Sequence, residues 1–330
     1  MPLPSYTFLS DQSWCVKIAA ADALASVCAL CPRRCGVDRL KNQKGFCEAG
    51  STLTISSVFP HHGEEPPLSG SGGSGTIFFS HCTLHCCFCQ NHQISHEGEG
   101  APYTVEALAH KMMELQSLGC HNVNLVTATH FLPWVLRALK ESVKIGLNVP
   151  IVYNCGGYET VETIEILRDI VDIWLPDIKY GDNTAAQKYS RAPDYVEVNH
   201  AAIRAMFRQV GRLRVDKNNV GVRGLIIRHL VLPSGLSGSE SVVRWLLSLF
   251  DPDDITISLM AQYFPAYHSK DFPEINRRIT RAEYEPVAAL FANSGFAGFF
   301  QEVEDAVGAF KIDFKQRKDS PLTGENQHAK

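Results

Sequence analysis

Three cysteines, Cys82, Cys86 and Cys89, follow directly on the apolar run Thr76–Ser80. Thiolates at this spacing suit iron. A cubane iron–sulfur cluster has four irons, each normally taking one thiolate, so three cysteines leave one iron open. An open coordination position lets a metal centre bind a substrate, as at a catalytic zinc. The same residues also suit a zinc knuckle, buried structural thiols, or a cluster completed by a fourth cysteine. Cys87 lies inside the triplet, and His81, His85, His92 and His96 surround it, so a fourth ligand or a mixed zinc site stays open.

A second set comprises Cys28, Cys31, Cys35 and Cys47. Four thiolates saturate tetrahedral zinc or a complete cubane cluster. Spacing does not choose between a structural zinc, a second cluster that relays electrons or meets a partner, and unliganded thiols. Nine of the eleven cysteines precede residue 90, which is not the distribution of a disulfide framework. Cys15, Cys120 and Cys155 have no evident partner and read as small apolar residues.

Both sets need a scaffold. After an N-terminal segment to about Leu68 and a Gly/Ser-rich turn, the chain alternates strands and helices. Expected strands are Thr76–Ser80, Asn122–Thr127, Pro150–Asn154, Asp172–Pro176, Gly224–Leu232, Thr256–Met260 and Phe296–Phe300. Expected helices are Thr104–Leu118, one beginning near Leu132, Thr160–Ile170, Asp194–Val210, Glu240–Phe250 and Arg281–Asn293. This alternation predicts an α/β fold with a parallel sheet. The short apolar strands predict burial on both faces. Periodicity leaves a closed barrel and an open doubly wound sheet as alternatives. Gly70–Gly75 formally matches G-x-G-x-x-G, but it precedes a strand and opens no helix, so it reads as a turn and not as a phosphate loop. The tail Lys311–Lys330 is polar and reads as disordered.

Strand ends supply further candidates. Asp177 and Lys179 alternate with apolar neighbours at the end of a strand that reads as buried, where charges must be paired or functional. Arg228 interrupts the apolar run Leu225–Leu232 and either faces a pocket or pairs with a buried carboxylate. Asn154-Cys155-Gly156-Gly157 offers either close backbone approach or a simple turn. Glu64 and Glu65 read by default as a solvated turn, with an active-site role as the alternative.

The segment from Gly75 to Asn91, with its C-x3-C-x2-C pattern and aromatic Phe88 before Cys89, resembles the radical S-adenosylmethionine (SAM) superfamily. It is most similar to the pyruvate formate-lyase activating enzyme family and its PflX-type branch, from about residue 28 to about residue 300. The resemblance implies a partial, six-unit TIM-like parallel barrel, with the site at the C-terminal strand ends. It implies a radical SAM core over residues 69–300, a Cys-rich metal-binding extension over 1–68, and a C-terminal segment over 301–330. The cofactors implied are a 4Fe-4S cluster on Cys82, Cys86 and Cys89 and SAM on its open iron, with zinc or a second cluster on the N-terminal set.

Further expectations come from the same resemblance. Reductive cleavage of SAM gives a 5′-deoxyadenosyl radical that takes hydrogen from a partner. Phe88 and Asn91 lie near adenine, Asp177 and Lys179 contact the methionyl group, His268 lies near the ribose, and Arg228 joins the cofactor site. The family usually carries a Gly-Gly-Glu loop after the second strand. Here Thr127-Ala-Thr129-His130 stands instead, as in the PflX-type branch, and Thr127 and Thr129 are the expected contacts. The implied partner is a glycyl radical enzyme, with a flavodoxin or ferredoxin as electron donor. Modification of another peptide or metabolite, and a non-catalytic iron–sulfur or zinc protein, are the alternatives.

The 330 residues carry a formal charge of −4 and 45% apolar residues, ordinary for a globular protein with a sizeable core. That charge gives no reason to expect nucleic acid or an anionic membrane. No apolar stretch reaches membrane-spanning length, and Met1–Ser13 lacks the basic start and apolar core of a secretory signal. A cytoplasmic location is expected.

Overall fold

The structure, a computed structural model, describes residues 3–303 and Phe314. The elements run α1 (Asp11–Ser26), β1 (Thr54–His61), α2 (Pro66–Ser69), β2 (Ser74–Phe79), α3 (His92–Ser95), β3 (Ala101–Pro102), α4 (Val105–Ser117) and β4 (Val123–Val126). They continue with α5 (Leu132–Lys144), β5 (Ile151–Cys155), α6 (Val161–Ile166), β6 (Ile173–Ile178), α7 (Asn183–Ser190), α8 (Tyr195–Val210), β7 (Arg214–Val215) and β8 (Gly221–Leu230). The last are α9 (Ser239–Leu249), β9 (Thr256–Met260), α10 (Arg281–Asn293) and β10 (Ala297–Phe300).

Among the described residues the strands form one sheet in the order β10-β9-β8-β6-β5-β4-β2-β1-β3, with β7 beside β8. Strands β2, β4, β5, β6, β8, β9 and β10 run parallel. That is one strand more than the six-unit barrel the resemblance implies. β3 and β10 end the sheet, so the barrel is partial. β4, β5 and β6 are buried along their whole length, as expected where helices cover one face and a filled interior the other.

Local chemistry starts the helices where the sequence places them. The Thr104 hydroxyl accepts from the Ala107 amide, and the Thr160 hydroxyl from the Thr163 amide. Pro133 occupies the first turn of α5. Thr280 and Glu283 form a reciprocal capping box on α10. Helices α1 and α7 and the antiparallel strand β1 are additions to the expected elements. α1 packs on α5 and α6, and β1 pairs with β2. Residues before 68 therefore share the sheet of the core. No described helix is long and apolar enough to cross a membrane. Apart from Phe314, the tail 311–330 lies outside the described residues.

Arg39 joins the N-terminal segment to the barrel. It is fully buried, and its guanidinium donates to the carbonyls of Ala49, Gly50 and His130 and to Cys47 Sγ. His130 in turn bonds the Ser80 carbonyl at the end of β2. Replacing Arg39 with Met leaves three buried carbonyls without donors, at ~1–3 kcal/mol each before relaxation. We expect Arg39→Met to lower the unfolding free energy by about 3 kcal/mol in chemical denaturation, and Arg39→Lys to rescue little, because an ammonium lacks the planar fork.

Candidate functional site

The loop carrying Cys82, Cys86 and Cys89 leaves β2 through His81, whose φ is +71°. Main-chain bonds then pin it from several directions. His81 N–H donates to the Ile94 carbonyl, Cys87 N–H to Tyr189, and His268 N–H to the Cys87 carbonyl. Arg33 Nε donates to the Thr83 carbonyl from the N-terminal segment. Phe46 packs on His85 at 4.2 Å between centroids, with the Arg33 guanidinium on its ring.

The three thiols are embedded in donors. Leu84 N–H reaches Cys82 Sγ at 3.3 Å, Ser190 Oγ donates to Cys86 Sγ at 2.9 Å, and Cys89 Sγ shares a bond with Ser95 Oγ at 3.1 Å. Burial pushes all three thiols up, Cys89 to about 11, while the Lys179 ammonium lies in electrostatic reach of each and pulls the other way. Binding a cluster therefore releases protons, and Lys179 favours the thiolate form. This donor set, with one cation common to three thiols, fits an iron–sulfur cluster.

Cys87 differs from its neighbours. Burial holds it at about 12, and after Cys86 the charges it feels are Asp271 and Glu274, which disfavour a thiolate. Three of the four histidines have other surroundings. The rings of His92 and His96 stack on Tyr267, His96 Nε2 bonds the Cys86 carbonyl, and burial holds His85 at about 4.

Asp177 ties the ends of β6 and β8 together. Lys179 Nζ lies 2.5 Å from its Oδ2, and Arg228 Nε 2.8 Å from its Oδ1. Burial opposes its ionisation, but the two cations outweigh it and hold the carboxyl below its ordinary value. Arg228 also donates to Asn154 Oδ1 at 2.6 Å. Both sequence alternatives for Arg228 hold, because it pairs with a buried carboxylate and also lines the cavity. Gly157, at φ +70°, allows this corner to close: a Cβ there would sit 2.1 Å from the Asp177 carbonyl oxygen.

A cavity of about 480 Å³ fills the barrel interior. Gln90 and Asn91 of the cysteine loop, Asn154, Arg228, Glu64 and Glu65 are among its polar walls. Glu64 Oε1 accepts from Asn124 and Asn154. Glu65 is only 8% exposed. The default reading of this pair as a solvated turn is therefore overturned. The missed feature is positional, since β1 carries the pair beneath the strand ends.

Other expected contacts lie elsewhere. Phe88 is buried against Tyr263 and is absent from the cavity wall. His268 is exposed and pairs with Asp271 at 3.0 Å. Thr129 is buried, with its hydroxyl bonded to Glu159 and Tyr153, and burial raises Glu159 to about 8. Thr127 bonds the Asn154 carbonyl through its amide. None of these four, nor Asp177 or Lys179, is among the residues that line this cavity.

The N-terminal cysteines show a related donor pattern. Amides of Leu30 and Arg33 face the thiols of Cys28 and Cys31, Phe46 N–H donates to Cys35 Sγ, and Arg39 donates to Cys47 Sγ. No carboxylate pairs with Arg39 among the described residues.

Residues 76–221 match the model of the radical SAM superfamily. A protein of Methanocaldococcus jannaschii described as uncharacterised is 32% identical over 284 residues, 83% of this chain and 77% of that protein. The chain belongs to the radical SAM superfamily. Among solved structures, a radical SAM methyltransferase from Sphaerobacter thermophilus is similar at 15% identity and a TM-score of 0.45, over 69% of this chain and 67% of that one. Methylornithine synthase is similar at 15% identity and a TM-score of 0.44, over 89% and 72%. Radical SAM membership implies a 4Fe-4S cluster and SAM as cofactors, and with them the radical chemistry of SAM cleavage.

Thr127 gives a direct test of backbone strain at the end of β4. Its φ of +59° is unfavourable for a β-branched residue by ~1–3 kcal/mol, whereas glycine loses ~0.4–1 kcal/mol through unfolded-state freedom. Strain relief is the larger effect, so Thr127→Gly is expected to stabilise the protein by about 1 kcal/mol in denaturant titration. A lower midpoint would show that contacts of the threonine side chain outweigh the strain.

Proposed function

We propose that this radical SAM protein takes hydrogen from a protein or peptide partner in the manner of an activating enzyme, with Cys82, Cys86 and Cys89 as cluster ligands. The observation carrying this reading is the trio of thiols around Lys179, Cys86 buried and Cys82 and Cys89 half-buried, above an interior cavity whose wall begins at Gln90 and Asn91. When bound there, the cluster and SAM supply a low-potential electron and a 5′-deoxyadenosyl radical.

The chain's own residues hold and shield. Leu84 N–H, Ser190 and Ser95 orient the three sulfurs, and Lys179 offsets thiolate charge. Asp177 fixes Lys179 and Arg228, so the Arg228 guanidinium lines the cavity already oriented. Asn91 is placed to meet a ligand next to Cys89. The apolar walls at Phe78, Val126 and Met260 limit water around a reactive intermediate. A glycyl radical enzyme as partner and a flavodoxin or ferredoxin as reductant follow from the activating-enzyme resemblance. The polar cavity floor favours a second reading, modification of another peptide or a metabolite.

We extend the proposal to a second metal centre, zinc or an auxiliary cluster, on Cys28, Cys31, Cys35 and Cys47. Its support is the set of amide donors aimed at these sulfurs and a buried guanidinium whose charge a thiolate would balance.

Anaerobic reconstitution with iron and sulfide, dithionite reduction and SAM should release 5′-deoxyadenosine from the native protein and none from Cys86→Ser. Release by the variant would overturn the ligand assignment. Metal analysis of Cys86→Ser then reports the N-terminal set alone, with zinc near one or iron near about four per chain expected and neither refuting that centre. Removing the hydroxyl donor in Ser190→Ala should move the cluster potential more negative in redox titration, because hydrogen bonds to cluster sulfurs stabilise the reduced form.

A further inference from the structure

The floor of the cavity holds more negative charge than the protein balances. Glu64 accepts from Asn124 and Asn154, and its Oε2 lies 3.9 Å from Arg228. The Glu65 carboxyl lies within hydrogen-bonding reach of Glu64, yet its buried Oε2 receives no hydrogen bond. Two carboxylates therefore face each other with no donor between them. Three carboxylates, Asp177, Glu64 and Glu65, stand against two cations, Lys179 and Arg228. A buried carboxylate in this position needs a proton or a cationic ligand.

We propose that Glu64 and Glu65 are the substrate-recognition subsite, accepting a cationic nitrogen, ammonium or guanidinium, carried by the molecule that gives up hydrogen. The proposal rests on the radical SAM reading and names the substrate chemistry that the same cavity selects. The chain path separates the loop that carries the pair from the cysteine loop, while the Glu64 side chain extends to Asn154 and toward Arg228. The loop bearing Glu64 and Glu65 follows β1, whose last residue pairs with the start of β2, whereas the cysteine loop leaves the end of β2. The strand between spans about 17 Å. A ligand on this floor with its hydrogen-bearing carbon directed up the barrel points at Asn91 and the cysteine loop.

The dyad also sets a pH dependence. Burial first, then the Glu64 charge, raises Glu65 to about 7, while Arg228 pulls it down. His61 is the other titratable group on the cavity wall near the dyad, and Asn124 and Asn154 are neutral. A cation must displace the proton held below pH 7. Its affinity therefore rises about tenfold per unit up to that point and levels off above it.

The test uses the reconstituted holoenzyme, with n-butylammonium, n-butylguanidinium and neutral n-butanol as probes in anaerobic calorimetry from pH 5.5 to 8.5. The cations should bind in preference to the alcohol, with affinity rising to a plateau near pH 7. Glu65→Gln should weaken them at least tenfold and flatten the profile. Equal binding of the alcohol, or a variant that binds cations like the native protein, would overturn the proposal. So would loss of SAM affinity in the same proportion, which would assign the dyad to the sulfonium. If Glu65→Gln does not fold, the native profile decides alone: a flat one refutes the subsite. Failure of the native enzyme to cleave SAM would instead refute the radical reading, which calorimetry with these probes does not measure.

Discussion

The carboxylate of Asp177 is the constraint on which the interior of this barrel depends. One oxygen takes Lys179 and the other takes Arg228, all three largely withdrawn from water. Removing a single partner would leave a buried charge unpaired, far more costly than the pair is favourable, so the three must be arranged together. Asp177 and Arg228 are register partners on adjacent parallel strands. Shifting β8 by one residue would turn Arg228 to the other face and leave Asp177 short of a cation. From this centre the network extends to Asn154 on β5, to Glu64 below, and through Lys179 to the cysteine thiols.

A cluster with one open iron needs a loop that is rigid without being fully ligated by protein. The chain meets that need with main-chain hydrogen bonds and with packing from outside the barrel. Tyr189, Ile94 and His268 hold the loop backbone, and the N-terminal segment adds Arg33 and Phe46. Arg39 fastens that segment to the turn after β4 through His130. The Thr127–His130 turn thus serves as a joint between the N-terminal cysteines and the cysteine loop. Its left-handed Thr127 is compatible with that load because the surrounding bonds over-determine the backbone.

The cavity floor links fold to selectivity. β1 runs antiparallel to β2, so the loop bearing Glu64 and Glu65 lies at the opposite end of β2 from the cysteine loop. Cofactor chemistry and substrate recognition can then occupy different depths of one interior, as the reaction class requires when one bound molecule must attack another.

Local physics made much of this legible. The cysteine spacing, the helix starts at Thr104 and Thr160, and the charges Asp177 and Arg228 at or within apolar strands depend on neighbours a few residues apart, so the sequence alone shows them. α1 escaped because it is rich in alanine and has no marked apolar stripe, and β1 because its partner is supplied by the sheet. Side-chain direction was the other limit. Phe88, Thr127, Thr129 and His268 stand at positions the resemblance marks, and only the structure shows their partners: Tyr263, the Asn154 carbonyl, Glu159 and Asp271. Residue types and spacing determined which chemistry this chain carries. Only the tertiary structure decided which carboxylates share the cavity, because burial and charge pairing between distant strands are set when the barrel assembles.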